Sequence, residues 1–360
     1  MIKFYFLPPK KKKILIFDRH FDQDSFFKLF NKKECSILDV RYESINLFIL
    51  LIVFFKSFFK DIKKKYLIEY IKFTSPKVVV TFIDNNLFFY ELKNYYSLPI
   101  YIAFQNGRRG REFYSLLKKN KKKNFCADFI FIFGDTYRKK LLGNIKSKII
   151  SIGLLKNNFF LKKQKNSKIK SIVFISQLKF GFEPLMKTVI SEIELALLTF
   201  LRKYCLKNKL KLLFFPKVNF EEFLNCKEDL HLKKLIEENA VILKKQKNVH
   251  KQLNKFNLFI CLDSTLGYEL LARKKKVIFL PSVNISKKFK FTKFGFPSKY
   301  KDKGFFWYNY YNENIFSAII NNIIRIDQKS WEEIIKKYNF NLMNFDKNNF
   351  KVKSILKKIV

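Results

Sequence analysis

Asn257-Leu258-Phe259-Ile260-Cys261-Leu262-Asp263-Ser264-Thr265-Leu266-Gly267-Tyr268-Glu269-Leu270-Leu271-Ala272-Arg273 runs on to Lys276-Val277-Ile278-Phe279-Leu280 and stops at Pro281. Residues 257–260 read as a short apolar strand and 276–280 as a second one. Between them a Ser/Thr turn opens a short helix. Strand, turn, helix and strand make a βαβ unit. Ser264 or Thr265 can cap the helix, and Glu269 then lies about one turn inside it, on the face that begins at the cap. The open amides of a helix N-terminus attract anions. The turn at the carboxyl end of a parallel strand is also where α/β sheets bind ligands. The stretch has two readings, an ordinary capped helix and a phosphate or nucleotide pocket.

The same alternation extends in both directions. Upstream, a strand at 171–175 leads to Ser176-Gln177, a long helix covers about 184–207, and a strand at 210–215 leads to Pro216-Lys217. A strand near 240–243 precedes the βαβ unit. Before a polar run at 161–170 the pattern repeats. Strands are expected at 14–17, 36–40, 77–83, 99–104, 128–133 and 148–152, with helices at 21–30, at 45–59 and in a Lys-rich stretch to about 71. Strands alternating with helices imply parallel sheets in a Rossmann-like layout. The expected organisation is a domain at 1–160, a linker at 161–170, a second domain at 171–328, and helices in 329–360.

Composition narrows the class. A chain of 360 residues is long enough for two domains, and a hydrophobic fraction of 48% supplies their cores. A net charge of +43 would ordinarily point to nucleic acid or an anionic membrane. Here Lys, Asn, Ile and Phe are abundant together, as in AT-rich coding, so no specific nucleic-acid partner is inferred. The five cysteines are scattered without a CxxC pair and only three His are present, which argues against a zinc site or a disulfide framework and for a reducing cytoplasm. The longest apolar run, Leu47 to Phe55, is shorter than the roughly 20 residues that span a bilayer. No secretory leader, P-loop or GxGxxG stands in the sequence. Lysines beside the apolar run at 47–59 suggest peripheral contact with an anionic membrane, most simply with the first half of that helix buried and Phe58 and Phe59 at the surface.

Two further stretches carry chemistry. Tyr101 to Arg111 ends in Gln105-Asn106-Gly107-Arg108-Arg109-Gly110-Arg111, three arginines in four positions of a chain that otherwise prefers Lys. Arg offers a planar fork for carboxylate or phosphate, and the alternative is a solvated basic loop. Ile83-Asp84-Asn85-Asn86 closes the neighbouring strand. Asp84 is a candidate general base toward an acceptor hydroxyl or a cap for a helix over 86–96. Asp18 and Arg19 occupy the equivalent edge after the first strand, as an ion pair or a turn.

Asp263-Ser264-Thr265-Leu266-Gly267-Tyr268-Glu269 followed by an apolar strand resembles the donor-binding segment of GT-B glycosyltransferases. More narrowly, the chain resembles bacterial surface-carbohydrate biosynthesis transferases. That likeness includes 14–19, 41–47, 78–85, 105–110, 174–177, 263–269, Gly304-Phe305-Phe306-Trp307, Trp331 and Phe345-Asp346. Gln105-Asn106-Gly107 is also similar to a Gln-His-Gly segment of teichoic-acid glycerophosphotransferases, with Asn106 in place of the His. The resemblance implies an α/β, GT-B-like fold of two Rossmann-like domains facing across a cleft, with a last helix crossing back to the first. It implies a glycosyltransferase moving a sugar or sugar-like group from a nucleotide-activated donor to a surface polysaccharide or lipid-linked glycan. A nucleotide-sugar epimerase of the same architecture and a non-enzymatic basic binding protein are the alternatives. On this likeness Ser264, Thr265 and Gly267 would hold phosphate, Glu269 would face ribose or sugar, and Ser176, Gln177 and Lys217 would line the donor pocket. Asp84, Asn85, Gln105, Asn106, Gly107 and Arg109, with Arg19, would form the acceptor side. No metal and no cofactor beyond the nucleotide-sugar substrate is expected.

Overall fold

The computed structural model describes residues 2–18, 26–41, 44–57, 61–160, 168–178, 184–217, 230–246, 248–286 and 291–359. Half of the expected helix at 21–30, most of the expected linker at 161–170, the Arg19 site and the Phe58-Phe59 pair fall outside these residues. The chain divides into two compact units, 1–159 with 344–360, and 160–343.

Unit 1 begins with β1 (Lys3–Tyr5) and β2 (Ile14–Phe17), followed by β3 (Cys35–Leu38) and β4 (Ser44–Asn46). Helices α1 (Leu47–Ser57) and α2 (Ile62–Thr74) lead to β5 (Val78–Thr81) and α3 (Leu87–Tyr95). Then come β6 (Ile100–Phe104), α4 (Arg111–Lys119), β7 (Cys126–Ile132), α5 (Asp135–Leu141) and β8 (Lys146–Ser151). Six strands form one sheet in the order β3-β2-β5-β6-β7-β8, and β1 pairs separately with β4. The central strands are buried on both faces and are therefore continuous apolar runs, Ile-Leu-Ile-Phe in β2 and Val-Val-Val-Thr in β5.

Unit 2 holds β9 (Ser171–Ile175), α6 (Pro184–Lys207), β10 (Lys211–Phe215), α7 (Leu230–Asn239), β11 (Val241–Ile242) and α8 (Val249–Leu253). It continues through β12 (Leu258–Cys261), α9 (Thr265–Ala272), β13 (Lys276–Phe279), α10 (Glu313–Arg325) and α11 (Gln328–Leu342). Its sheet has the order β11-β10-β9-β12-β13, with every pairing parallel.

After α11 the chain rejoins unit 1. The Asn344 amide donates to the Phe133 carbonyl (2.8 Å), the Asp346 amide to Asn158 Oδ1 (3.1 Å), and Asn158 Nδ2 to Asn349 Oδ1 (2.7 Å). Helix α12 (Phe350–Leu356) then buries Val352 and Leu356 among Ile14, Ile16, Val78 and Ile102. Gly153 makes this route possible. It adopts φ +79, and a Cβ there would lie 1.9 Å from the Asn344 carbonyl oxygen.

Three expectations are corrected here. Residues 44–46 form a strand rather than helix, and the apolar helix is buried on one side only: Ile49 and Val53 are buried, while Leu51 in its first half and Phe54 and Phe55 beyond it are exposed. A helix that is apolar on every side gives periodicity nothing with which to choose the inward face. The cap of α3 is Asn86, whose side chain accepts from the Phe88 amide, and not Asp84.

Candidate active site

In an open parallel sheet, the crevice for a ligand opens where successive connections leave in opposite directions, at the carboxyl ends of the strands. In unit 2 that point lies between β9 and β12. Ser176-Gln177 follows β9, and Leu262 to Thr265 follows β12. The two turns are joined. With its amide oxygen turned toward them, Gln177 accepts from the backbone N–H groups of Asp263 (2.6 Å) and Ser264 (2.9 Å), an orientation set by the hydrogen-bond network. On the other side the Asp263 carboxylate accepts from the Tyr268 hydroxyl (2.7 Å) and the Thr292 hydroxyl (2.8 Å). The turn into α9 is thus held from both flanks. Ser264 occupies the N-cap position with extended backbone, although its side chain makes no capping bond. The first intrahelical bond runs from the Tyr268 amide to the Ser264 carbonyl (3.3 Å), so the amides of residues 265–267 precede it.

Several expected donor residues have other work. The Ser176 hydroxyl is buried, donates to Glu194 Oε2 (2.6 Å) and accepts from the Leu178 amide (3.0 Å). It fastens the end of β9 instead of lining a pocket. Gly267 is small for packing: a Cβ there would lie 2.5 Å from Cys261 Sγ and 3.0 Å from the Phe279 ring. Glu269 is buried, with Oε2 3.6 Å from His250 Nε2, and His250 stacks on Phe160 at 4.6 Å. Its carboxylate therefore faces a histidine, not open solvent. Burial lowers Arg273, one turn along α9, to about 10 against the pull of Glu269. Lys217 is exposed after β10, on the side of β9 away from the switch point.

Glu194 is the residue that sequence reading missed. It lies on α6, 1% exposed, and accepts from both the Ser176 hydroxyl and the Gln177 amide. Burial pushes it up to about 7, against those hydrogen bonds, the Lys217 charge and the Leu178 amide. The same Gln177 therefore has its backbone on Glu194 and its side chain on Asp263 and Ser264.

In unit 1 the corresponding switch point lies between β2 and β5. Asp18 follows β2, is buried and pairs with Arg41 (Nε to Oδ2 3.1 Å). Asp84 follows β5 and is buried as well. Arg109 closes on it with both arms of its fork, Nε to Oδ2 at 2.9 Å and Nη2 to Oδ1, while the Asn106 amide donates to Oδ1 (3.1 Å). Arg109 Nη2 also reaches Asn106 Oδ1 at 2.5 Å. Burial works against the Arg109 charge, but the Asp84 carboxylate outweighs it and holds the guanidinium above its ordinary value. The fork expected to meet a ligand anion is thus occupied by a carboxylate of the same unit. Gln105 is a brace, donating to the Gly107 carbonyl (3.0 Å) and accepting from the Phe133 amide (2.9 Å). Asn85 is exposed in the turn. Asp84, Asn106 and Arg109 are therefore brought together as one buried polar knot.

A cavity of about 560 Å³ in unit 2 lies at the opposite end of its sheet, beside Leu210, Asn257 and Lys276, where the strands begin. By the carboxyl-end rule that is the wrong end for the donor.

A family described as "putative O-antigen biosynthesis protein" matches residues 102–360. The chain belongs to that family. Among solved structures it is similar to a glycosyltransferase from Rickettsia africae (TM-score 0.53, 13% identity, 98% of this chain and 99% of that one). It is similar also to the wall teichoic acid polymerase TagF (TM-score 0.52, 12% identity, 97% and 89%). A third is Anabaena HepE in complex with UDP (TM-score 0.51, 10% identity, 96% and 100%). No curated protein matches. These likenesses show the fold, which is GT-B-like with two Rossmann-like domains, as the sequence implied.

Proposed function

We propose that this member of the family is a GT-B glycosyltransferase that moves a sugar or sugar-like group from a nucleotide-activated donor to a surface polysaccharide or lipid-linked glycan. The observation that carries the reading is the turn at the switch point of unit 2, held by Gln177 on one side and by Tyr268 and Thr292 on the other. Such a turn presents the first amides of α9 in a fixed direction. A phosphate seated there is stabilised by the helix N-terminus, and so is the charge that develops on it as the glycosidic carbon leaves. Ser264 and Thr265 then contact the donor, and Gln177 positions them. Gly267 and Glu269 support the helix from within.

In the reaction the acceptor hydroxyl gives up its proton, its oxygen bonds to the donor carbon, and the nucleotide leaves with the bonding electrons. Asp84 is the candidate base, with Asn106 and Arg109 fixing its orientation; Gln105, Gly107 and Asn85 shape the same loops. The nucleotide sugar is substrate, and neither metal nor further cofactor is assigned. Free cysteines at 35, 126, 205 and 261 suit work in the cytoplasm.

A thermal-shift screen with UDP, CDP, GDP and their sugar adducts tests the reading. A ligand of the native state at about 100 times its Kd adds about 2.7 kcal/mol and raises the melting temperature. Gln177→Leu should keep the fold and lose most of that shift. If no nucleotide raises the melting temperature, the donor site fails. Interconversion of a free nucleotide sugar without acceptor would transfer the assignment to an epimerase.

A further inference from the structure

Helix α1 is apolar from Leu47 to Phe55, yet only one side of it is buried. Ile49 and Val53 are fully enclosed, whereas Leu51, Phe54 and Phe55 are 57%, 47% and 78% exposed. The exposed three stand at helical spacing and form one stripe. Strand β1 adjoins this helix. Ile2, Phe4, Tyr5, Phe6 and Leu7 are all exposed too, Phe6 and Leu7 by 75% and 80%. Eight large apolar side chains are thus gathered on one part of unit 1. Single exposed apolar residues are common, but an assembled patch marks a contact surface.

Charge decides what that surface meets. Residues 2–13 and 47–74 contain eleven lysines, including Lys10, Lys11, Lys12 and the run 63–65, against the two acids Asp61 and Glu69. Glu69 is already paired with Lys56 (2.9 Å). Lys13 and Lys64 pair with Glu34 and Glu91 of neighbouring segments, yet an apolar patch on segments with so large an excess of positive charge repels a second copy of itself. It matches an anionic headgroup layer over an acyl interior, the arrangement of interfacial helices. Among the described residues no helix is long and apolar enough to cross a membrane, so the contact lies along the surface.

We propose that residues 2–7 and the Leu51-Phe54-Phe55 stripe of α1 form a docking face for an anionic bilayer. The proposal stands apart from the transfer reading, because neither set of residues belongs to the candidate active site.

The test is sedimentation of the full chain with vesicles of phosphatidylcholine containing about one-quarter phosphatidylglycerol, beside pure phosphatidylcholine vesicles, at about 0.05 M and about 0.5 M salt. The chain should bind the anionic vesicles, bind the neutral ones less, and release from the anionic ones as salt rises. Leu51→Ser/Phe55→Ser and Phe6→Ser/Leu7→Ser should each weaken partitioning by about tenfold or more, since each removes two large apolar side chains from the interface. Leu206→Ser, an exposed leucine of unit 2, should bind as the parent does. Unaltered circular dichroism and melting would show that the variants fold. No binding to anionic vesicles overturns the proposal. Equal binding by the double variants overturns it in favour of charge alone. A dimer that the double variants convert to monomer, without vesicle binding, overturns it in favour of self-association.

Discussion

Glu194→Gln isolates one buried charge and reads its cost as a function of pH. Glu194 is 1% exposed, and burial raises it from 4.5 to about 7. Between those values the unfolded chain has released the proton while the folded protein keeps it. Unfolding therefore releases a proton, and folded-state stability falls as pH rises through this window. Below 4.5 the penalty is absent, and above 7 it is complete. At about 1.4 kcal/mol per pH unit the ramp amounts to about 3 kcal/mol. Gln is nearly isosteric and stays neutral, so the substitution removes the ramp. It exchanges the carboxyl bonds to Ser176 and Gln177 for amide ones, a constant offset of about 1–2 kcal/mol. The readout is favourable because the chain has two tryptophans, Trp307 and Trp331, both buried in unit 2 with Glu194. Urea unfolding followed by tryptophan fluorescence therefore reports the right unit. Between pH 4.5 and 8 the stability of the parent relative to Glu194→Gln should fall by about 3 kcal/mol, and most of the fall should lie below pH 7.5. A difference that stays flat across the series would refute the argument, because it would mean that Glu194 titrates alike in both states.

Asp84→Ala should cost about 3–5 kcal/mol, because it leaves the Arg109 guanidinium buried without its carboxylate. Asp84→Leu combined with Arg109→Met should recover much of that loss in a chemical-denaturation cycle, and additive losses would show that the pair does not act as a unit. Gly153→Ala places a methyl against the Asn344 carbonyl at positive φ. It should cost about 2 kcal/mol or more and speed proteolysis within 344–360. An unchanged melting temperature and cleavage pattern would remove Gly153 from the return of the chain to unit 1.

The strands were the most legible feature because strands buried on both faces must be apolar throughout. Ile-Leu-Ile-Phe at 14–17 and Leu-Phe-Ile-Cys at 258–261 announce themselves without any partner. Legibility ended where the question became which loops meet. Asp84 and Arg109 are 25 positions apart, and Gln177 meets an amide at Asp263 only because β9 and β12 are neighbours. Strand order is a property of the sheet, and a period-two or period-3.6 pattern does not contain it. With the order in hand the switch point follows, and Gln177 with Asp263 and Ser264 falls at it. The Asp84 carboxylate shows the reverse case. Its position at a strand end was readable, but its engagement by Arg109 was not.

Glu194 was within reach of the sequence all the same. Ile190, Ile193, Leu197, Leu198 and Leu201 follow the spacing of a helix face turned to the core, and all are buried. Glu194 occupies the remaining place in that stripe. A carboxyl group in such a stripe must stay neutral or find donors, since an ionised one without them costs far more than a packed leucine contributes. Here it does both in part, raised to about 7 and accepting from Ser176 and Gln177. Those donors are the first residues after the central strand of the unit 2 sheet. The anomaly in the helix pattern was therefore a pointer to the loop it serves, and the candidate donor turn lies one side chain beyond, at the other end of Gln177.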